Sequence, residues 1–472
     1  MAMQSTNESK REPRLVVRGG WVLAMREGAP VLLRDHAVVA DGPVITAVTR
    51  DDPGPADTVI EVERGLVLPG FVNLHSHCLN GALFRGIPDD LALEPWITRL
   101  IYAVLMPLGK MALKTLSEEE IKSVLRLGML DVLKGGSTTL MDMWHPDQVM
   151  FFEVARELGM RVYGAPYLMS TSSVDVGADG KPTYATAAGD DSVLDKVLDI
   201  HRRFDEGPEG RIRVALGPHG ADTCSPDLLR AVRAAADDLG CIVTTHLAQT
   251  PDELELLSRR YDKGPVEYLA DAGLLGPDVV LAHCVYATDA EIERLKATGT
   301  SVANCPISFA RAGINVPFHR FAGRGVRTGI GTDSHGMDIP NELRIAGFFS
   351  KLHAEKGYVA TAHDLIRAVT LTGAEALQRP DLGRIEAGAR ADLLVVDLAG
   401  PHLQPVWDPV KNLVWKGNGS DIRTIVVDGE VIVRDRVHQK VDEPAILGAA
   451  AAAAAKVWEM AAREGILDRP PV

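Results

Sequence analysis

Two histidines one residue apart close a short apolar run near the start of the sequence. The run extends from Gly70 to His77 and ends with His75 and His77. In a strand, side chains at positions i and i+2 lie on the same side, so both imidazoles would point the same way. Imidazole is the commonest metal ligand, and the pair therefore supplies half of a metal site. Two histidines on a solvated strand edge are the alternative interpretation of the pair alone.

Other residues that can do chemistry lie at the carboxyl ends of predicted strands or just after them: His219, His246, His283 and Asp333. Imidazoles and a carboxylate form a ligand set that suits zinc, iron or manganese. A metal held by such a set lowers the pKa of a bound water to near 7 and makes it a nucleophile at neutral pH. Asp333 can then take a proton from this water, and His283 can steady the attacked oxygen or pass protons. A hydrogen-bonded core position is the alternative interpretation of any one histidine, but it does not account for all of these residues together.

The pattern of residues 68–383 indicates the elements that hold these side chains. Helical patterns alternate there with short strand patterns, which is typical of βα units and a parallel sheet. Besides the opening run, the predicted strands are 138–143, 161–165, 212–216, 242–246, 279–283, 301–304 and 326–333. Eight such units close a barrel, so we expect an α/β protein with a distorted (β/α)8 TIM barrel and an active site at the carboxyl ends of its strands. The Gly-, Thr- and Asp-rich residues 170–191 predict a long loop within it.

Both ends of the chain carry strand patterns of a different kind. In residues 13–67, short valine-rich runs are separated by turn residues such as Gly42-Pro43. The same pattern returns in residues 384–440, with Asp428-Gly429 as a hairpin turn. We therefore expect these two segments to form one composite β-sandwich domain beside the barrel. Residues 1–12 predict a disordered tail, and residues 441–472 predict a C-terminal helix.

Composition and charge exclude several classes of protein. The formal net charge of -14 argues against nonspecific nucleic-acid binding, which needs basic patches. The 5 cysteines form no CxxC pair, which indicates a reducing compartment and no disulfide framework. The polar N-terminus lacks the apolar core of a signal peptide, and no apolar run is long enough to span a membrane. We therefore expect a cytoplasmic protein with a small-molecule substrate and with neither nucleic-acid nor membrane partners.

Several short motifs together resemble the amidohydrolase superfamily. They are His75-Ser76-His77, Thr245-His246-Leu247, Ala282-His283-Cys284, Asn304-Cys305-Pro306-Ile307-Ser308 and Gly331-Thr332-Asp333-Ser334. The branch that they resemble is the mononuclear chlorohydrolase and aminohydrolase group, which includes triazine hydrolases and cytosine-, guanine- and adenosylhomocysteine-type deaminases. The resemblance covers residues 15–433, nearly the whole chain.

This resemblance implies a role for each matched residue. His283 would be catalytic, His219 would bind substrate, and the metal ligands would be His75, His77, His246 and Asp333. Binuclear members of the superfamily bridge two metals with a carboxylated lysine or a glutamate from a middle strand, and neither residue ends strand three or strand four here. We therefore expect a single divalent metal ion, zinc, with iron or manganese as alternatives. The family habit and the Ala-rich C-terminal helix predict a homodimer or a larger homo-oligomer.

One position departs from the pattern of the deaminases that the chain resembles. These enzymes carry a glutamate three residues after the strand-five histidine, where it shuttles a proton to the ring nitrogen and the leaving ammonia. This chain has Gln249 there, and glutamine cannot shuttle protons, although it can hold a carbonyl or an amide. We therefore expect hydrolysis of an amide, urea or carbamate-like carbon–nitrogen bond in a small nitrogen-containing substrate, with Asp333 or His283 protonating the leaving amine.

An aminohydrolase that deaminates a nitrogen heterocycle or a nucleoside derivative is the alternative function. It would use another acid, such as Asp338, His335 or His145. A substituted position without a critical role is the other interpretation of Gln249. Outside enzymes, the alternative is a metal-free relative that serves as a scaffold, and the retention of all four metal ligands argues against it.

Further residues near the predicted strand ends are candidates for substrate binding. Besides His219 and Gln249, they are Trp96, Arg85, Trp144 and Ser308. The two tryptophans can line an apolar pocket, although plain packing is as common for an aromatic residue in such a place. Arg85 can meet a polar group of the substrate, and a solvated arginine is the alternative. Ser308 belongs to one of the matched motifs.

Overall fold

The strands form two regions of the fold. One region combines strands from the N-terminal and C-terminal segments, and the other contains the parallel strands from the middle of the chain. The computed structural model describes residues 12–83, 85, 112, 114–144, 149–176, 182–186 and 192–463. The strands in chain order are β1 (Arg14–Arg26), β2 (Ala29–Asp41), β3 (Val44–Thr49), β4 (Thr58–Pro69), β5 (Phe71–Ser76), β6 (Ser137–Trp144), β7 (Arg161–Leu168), β8 (Thr171–Val176), β9 (Pro182–Thr186), β10 (Ile212–Val214), β11 (Gly217–Pro218), β12 (Val243–Leu247), β13 (Val279–His283), β14 (Ser301–Asn304), β15 (Thr328–Ile330), β16 (Leu393–Asp397), β17 (Ile422–Val427), β18 (Glu430–Arg434) and β19 (Val437–His438).

Helices follow most strands of the middle region, and the last two described helices belong to the C-terminal segment. In chain order they are α1 (Cys78–Leu83), α2 (Glu118–Lys134), α3 (Val149–Leu158), α4 (Ser192–Phe204), α5 (Pro226–Leu239), α6 (Pro251–Tyr261), α7 (Pro265–Asp271), α8 (Asp289–Thr298), α9 (Pro306–Ala310), α10 (Phe318–Ala322), α11 (Ile339–Ala354), α12 (Ala362–Val369), α13 (Leu371–Ala376), α14 (Pro409–Lys416) and α15 (Glu443–Arg463). Two short 3-10 helices, Pro401–Leu403 and Gly419–Asp421, lie between β16 and β17. The sequence favours α2 at its start, where the Ser117 side chain and Glu120 form a reciprocal capping box.

Strands from both chain ends pair in one 8-stranded sheet, in the order β19-β18-β17-β16-β4-β1-β2-β3. The junction lies between β16 and β4, which run antiparallel with Leu394 opposite Leu68. The N-terminal segment forms four strands, and three of them are longer than the short strands predicted: β1 and β2 have 13 residues each and β4 has 12. Gly19 and Gly20 interrupt the apolar pattern of the sequence, but β1 continues through them and forms a bulge against β4 at this point. A side chain at position 20 would approach Glu63 O to 2.1 Å, so only glycine fits there.

Two parallel sheets form the middle region, with strand orders β10-β7-β6-β5 and β12-β13-β14-β15. Isolated bridges connect these sheets at both edges, where Leu216 pairs with Val243 and Ser76 pairs with Asp333. Every residue of β5, β6, β12, β13 and β14 is buried, as expected for parallel strands that are covered on both faces. This α/β arrangement is of the TIM-barrel type, in which the carboxyl ends of the strands lie at one edge.

A β-hairpin replaces the long loop expected at residues 170–191. Strands β8 and β9 pair antiparallel within this segment. The Tyr184 hydroxyl donates to Asp222 Oδ2 at 2.7 Å, and Ser170 N donates to Thr223 O at 2.9 Å, so the hairpin lies against the turn after β11. Thr, Val and Tyr favour strands, and this propensity outweighs the Gly- and Asp-rich composition of the segment as a whole.

Among the described helices, α15 alone is long and apolar enough to cross a membrane. One face of this helix packs on the rest of the protein and buries Ala450, Ala453 and Val457. Trp458 Nε1 donates to Leu83 O at 3.2 Å, which fixes α15 beside α1. The small alanine side chains therefore serve as a packing face.

A buried ion network joins the parallel strands to the composite sheet. Arg161 at the start of β7 is fully buried, and its guanidinium contacts Asp392 at 3.2 Å and Asp428 at 2.6 Å. Asp428 also pairs with Arg211 at 2.7 Å and with Arg390 at 2.6 Å. Removing one member of a buried pair leaves the opposite charge without compensation, which typically costs about 3–5 kcal/mol.

Replacing Arg161 by methionine tests this network. We expect Arg161→Met to lower the free energy of unfolding by about 3–5 kcal/mol, because Asp392 and Asp428 lose a buried partner. Unfolding in denaturant measures the effect. Arg50→Met is the matched control, since the exposed pair of Arg50 with Asp35 at 3.8 Å contributes little to stability. Equal losses in the two variants would contradict a stabilising role for Arg161.

Candidate metal centre

Four side chains from distant parts of the sequence meet at the carboxyl edge of the parallel strands. His75 lies in β5, His77 directly follows it, His246 lies in β12, and Asp333 comes shortly after β15. The parallel bridge between Ser76 and Asp333 brings the last of these segments to the first. All four side chains are buried.

The ligand atoms of three histidines converge. One nitrogen from each of His75, His77 and His246 lies within 4.8 Å of the other two. Nε2 of His77 is 3.2 Å from Nε2 of His246 and 3.6 Å from Oδ1 of Asp333. A tetrahedral ion with bonds of about 2.1 Å separates its ligand atoms by about 3.4 Å. The spacing of these atoms therefore suits one metal ion.

Hydrogen bonds to backbone carbonyls fix the tautomer of two of these histidines. His77 Nδ1 lies 2.8 Å from Met143 O, and His246 Nδ1 lies 2.6 Å from His219 O. A carbonyl oxygen only accepts, so Nδ1 carries the proton in both rings and Nε2 keeps its lone pair. The two Nε2 lone pairs then face each other at 3.2 Å, an arrangement that calls for a cation between them.

The third histidine of the cluster has no partner for either of its ring nitrogens among the described residues, although the His75 side chain is completely buried. Buried polar atoms are normally bonded, so these nitrogens indicate a further ligand of the ring. Burial, followed by the neighbouring histidines, lowers the pKa of His75 and of His246. Burial also lowers the pKa of His219 and of His283 to about 4. At neutral pH these imidazoles are therefore uncharged, the form that binds metals.

Backbone hydrogen bonds hold Asp333 against the first histidine. The N–H groups of Asp333 and Thr332 both donate to His75 O, at 3.0 and 2.9 Å. The buried Asn73 side chain supports the same turn by donating to Thr332 Oγ1 at 2.8 Å. Asp333 has φ 52°, in the left-handed region that few residues other than glycine adopt, so the backbone is strained next to the site. Burial raises the pKa of Asp333, but the surrounding histidines outweigh this effect and hold the pKa well below its ordinary value.

His283 lies beside the cluster at the end of β13. Its Nε2 is 3.9 Å from Asp333 Oδ2, and its ring stacks on that of His246 with centroids 5.5 Å apart. One nitrogen of His283, one of His75 and the thiol of Cys305 form a second group of potential ligands. Burial raises the pKa of the Cys305 thiol well above its ordinary value. In the first group, Asp333 Oδ1 lies 3.6 Å from His77 Nε2 and adds an anionic oxygen ligand, so the first group suits a divalent ion better.

Two of the predicted substrate-binding residues lie close to this cluster. The ring of His219 is 5.0 Å from that of His246 and 4.9 Å from that of Tyr167. Nδ1 of His219 is 2.9 Å from Thr223 Oγ1, which fixes the orientation of the ring. Gln249 is half-buried in the turn that follows β12, three residues after His246.

Two further candidates are buried near strand ends. Ser308 is completely buried in α9, and its hydroxyl has no hydrogen-bond partner among the described residues. Trp144 ends β6 and packs with Phe151 and Phe152 of α3, so it belongs to the layer between strands and helices. The buried Nε1 of Trp144 has no hydrogen-bond partner among the described residues, and its role in substrate binding stays a prediction.

Of the remaining candidates, Arg85 is paired with another side chain, and the others lie outside the described residues. Arg85 is half-exposed and forms an ion pair with Asp131 of α2 at 2.7 Å, which already occupies its guanidinium. Trp96 and His145 lie outside the described residues.

Three buried carboxylates that sequence patterns did not single out hold the backbone behind the site. Each accepts hydrogen bonds from N–H groups just past a strand end: Asp142 from Cys78 N at 2.8 Å, Glu253 from Ala248 N at 2.9 Å and Gln249 N at 2.8 Å, and Glu342 from Ile307 N at 3.1 Å. A sequence signal exists for one of them, because Thr250 and Glu253 have the spacing of a helix capping box. The partners of the other two depend on the folded arrangement alone.

Known proteins share this fold, and two of their solved structures contain zinc. Residues 66–432 match the family model described as the amidohydrolase family. A 5-methylthioadenosine/S-adenosylhomocysteine deaminase of Haloarcula marismortui is 35% identical, over 95% of this chain and 99% of its own. An adenosine deaminase from Xanthomonas campestris with bound zinc has a TM-score of 0.83 at 26% identity, over 94% of this chain and 98% of its own. Atrazine chlorohydrolase from Arthrobacter aurescens TC1, complexed with zinc, has a TM-score of 0.82 at 26% identity, over 93% of this chain and 100% of its own.

These similarities span nearly the whole chain and confirm the family resemblance of its motifs. The zinc in two of the solved structures agrees with a divalent metal among the buried histidines. The chain therefore belongs to the amidohydrolase family, as an enzyme that hydrolyses carbon–nitrogen bonds other than peptide bonds.

Proposed function

We propose that one divalent ion, zinc, is bound by His75, His77, His246 and Asp333. The 3.2 Å contact between two Nε2 lone pairs, beside a buried carboxylate, carries this proposal. The zinc-bound structures of similar proteins support the choice of metal, although iron and manganese accept the same ligands. Neither β7 nor β11 ends in a lysine or glutamate, which supports a single ion. A divalent ion supplies Lewis acidity, which brings the pKa of water in such a site to about 7.

The site is suited to hydrolyse an amide, urea or carbamate-like bond in a small nitrogen-containing substrate. As water adds to the carbonyl carbon, Asp333 Oδ2 accepts its proton, because this carboxylate is ionised and excluded from solvent. His283, 3.9 Å from the same oxygen, donates to the carbonyl oxygen as negative charge develops on it. Asp333 then returns the proton to the leaving nitrogen, the carbon–nitrogen bond breaks, and an amine departs. Gln249 can hold the substrate through both groups of its amide.

Deamination of a nitrogen heterocycle or nucleoside derivative is the second candidate function, because two of the similar proteins are deaminases. It needs an acid in place of Gln249. Asp338 does not suit this role, because its carboxylate oxygens accept from Asn341 N at 3.1 Å and from Gly419 N at 2.8 Å. His335 is the described candidate that remains, and burial lowers its pKa to about 4.

We further propose that the two parallel sheets are halves of one distorted (β/α)8 barrel that spans residues 68–383. The bridges at both sheet edges support this closure. In the same proposal, residues 13–67 and 384–440 form a composite β-sandwich domain, and the shared 8-stranded sheet supports their association. The C-terminal helix expected at residues 441–472 is α15 (Glu443–Arg463), and residues 464–472 lie outside the described residues.

We also propose a cytoplasmic homodimer or larger homo-oligomer that has small-molecule substrates and neither nucleic-acid nor membrane partners. The net charge of -14 supports the absence of nucleic-acid binding. Exposed apolar side chains support self-association, since Leu352, Tyr358 and Trp407 are 72%, 73% and 88% exposed.

Removal of one ligand tests the metal centre. We expect His246→Ala to lose its bound metal and its hydrolytic activity, because one of the two facing Nε2 lone pairs is gone. Elemental analysis measures metal per chain, and added Zn2+ should restore chelator-treated wild type but not the variant. His363→Ala is the matched control, since His363 pairs with Asp408 at the surface at 2.9 Å. Normal metal content and a normal rate in His246→Ala would refute this site.

The released product separates the two candidate functions. We expect the wild type to release an amine from amides or ureas and to release ammonia from adenosine-type nucleosides at least about 100-fold more slowly, because Gln249 cannot protonate a ring nitrogen. Gln249→Glu should raise ammonia release by about 100-fold or more. Assays specific for ammonia and for the amine measure both reactions, with Gln249→Ala as the control for loss of the amide. Rapid ammonia release by the wild type, unchanged in Gln249→Ala, would favour the deaminase.

A further inference from the structure

A glutamate that takes no part in the proposed reaction is buried beside the site. Glu253 lies in the first turn of α6 and is 1% exposed. Its Oε1 accepts from Ala248 N at 2.9 Å, and its Oε2 accepts from Gln249 N at 2.8 Å. Both N–H groups belong to the turn that follows β12, two and three residues after His246. The carboxylate therefore clamps the backbone that carries a proposed metal ligand.

The clamped turn and the turn after β13 both have strained backbones. Ala248 has φ 49°, and His283 and Cys284 have φ 76° and 51°. Residues other than glycine keep this left-handed conformation only where surrounding contacts hold them. The two turns are also bonded to each other, because Cys284 N donates to Leu247 O and Tyr286 N donates to Ala248 O, both at 2.9 Å. Contacts that hold the first turn therefore also hold the turn that begins at His283.

A helix cap alone does not account for Glu253. Thr250 Oγ1 accepts from Glu253 N at 3.0 Å, as in a capping box, in which the glutamate returns to the N–H of the capping residue. The carboxylate extends beyond this cap to the two preceding residues, Ala248 and Gln249. Packing does not account for it either, because burying a carboxylate is costly: burial raises the pKa of Glu253, and the N–H groups of Gln249 and Ala248 act in the opposite direction by bonding to the ionised form.

On the basis of the proposed function, we propose that Glu253 is a positioning residue of the hydrolytic site. By holding Ala248 N and Gln249 N, it sets the orientation of His246 and of the Gln249 side chain. Through the bonded turn after β13, it also sets the orientation of His283. Glu253 acts only through these turns, since its oxygens bond to backbone N–H groups.

Glutamine at position 253 keeps the size of the side chain but cannot hold both N–H groups, because its NH2 group faces one of them. We expect Glu253→Gln to lower kcat/KM by about 10–100-fold, as is typical when support of a metal ligand is lost. In the Co2+-substituted protein, the visible absorption bands should change in position or intensity, because they report the geometry of ligands that include His246. Glu255→Gln, at an exposed position of the same helix, is the matched control and should change neither property.

Glycine at position 248 provides a test that is specific for the clamp. Glycine adopts φ 49° without strain, so Ala248→Gly lessens the need for an external hold on the turn. We expect the double variant Ala248→Gly/Glu253→Gln to recover part of the lost kcat/KM and part of the wild-type Co2+ spectrum. Losses that simply add in the double variant would overturn the proposal, since independent sites behave additively.

Three further results test the positioning role of Glu253 and separate it from the proposed function. A Glu253→Gln protein with wild-type kcat/KM and Co2+ spectrum, or with lowered thermal stability as its only change, would overturn the positioning role and leave the proposed function intact. If Glu253→Gln does not fold, Glu253→Asp takes its place, because its carboxylate is one methylene too short to reach both N–H groups, and wild-type kcat/KM with a wild-type Co2+ spectrum would again overturn the role. A wild type that binds no Co2+ and hydrolyses no carbon–nitrogen bond would instead overturn the proposed function.

Discussion

Two imidazole nitrogens that face each other without a proton between them impose the main constraint on this structure. The carbonyl oxygens of Met143 and His219 accept hydrogen bonds from Nδ1 of His77 and of His246. The Nε2 lone pairs of the two rings therefore face each other at 3.2 Å. In a buried site, such a contact is repulsive unless a cation lies between the nitrogens. The strand ends bring the nitrogens together, and a divalent ion bound between them would relieve the repulsion. Binding of such an ion would therefore stabilise the folded arrangement of the strand ends.

Polar groups at the two ends of the parallel strands differ in character. At the carboxyl end, neutral imidazoles and Asp333 present atoms that a ligand can still bind. At the amino end, Arg161 is fully paired with the carboxylates of Asp392 and Asp428. Apolar side chains such as Leu74 separate the two. One end thus maintains the shape of the fold while the other remains available for chemistry, as in barrels of this type.

The elements that sequence patterns located well are those with local signals. Helix α5 follows the cap Ser225, has Pro226 in its first turn and ends before Gly240 in the left-handed conformation, and all three signals are visible in the sequence. The positions of His75 and His77 follow in the same way from the two-residue period of a strand. These residues lie together with His246 because parallel strands share one carboxyl edge.

Features that depend on distant contacts were not visible in the sequence. The hairpin at β8 and β9 lies in a segment whose composition predicts a loop, and its contact between Tyr184 and Asp222 forms only in the folded chain. The bulge at Gly19 and Gly20 likewise depends on β4 beside it. The spacing of Thr250 and Glu253 indicates a helix cap, but not the reach of the carboxylate to the turn beside the site.

The three buried carboxylates that bond to the backbone near the site also affect which substitutions the enzyme can accept during evolution. Asp142, Glu253 and Glu342 fix the course of the main chain after β5, β12 and β14. The residues that contact the substrate do not have to perform this task. Selection can therefore exchange substrate-binding residues one at a time without disturbing the path of the backbone. A scaffold whose backbone is held independently of its substrate-binding residues can acquire new substrates during evolution.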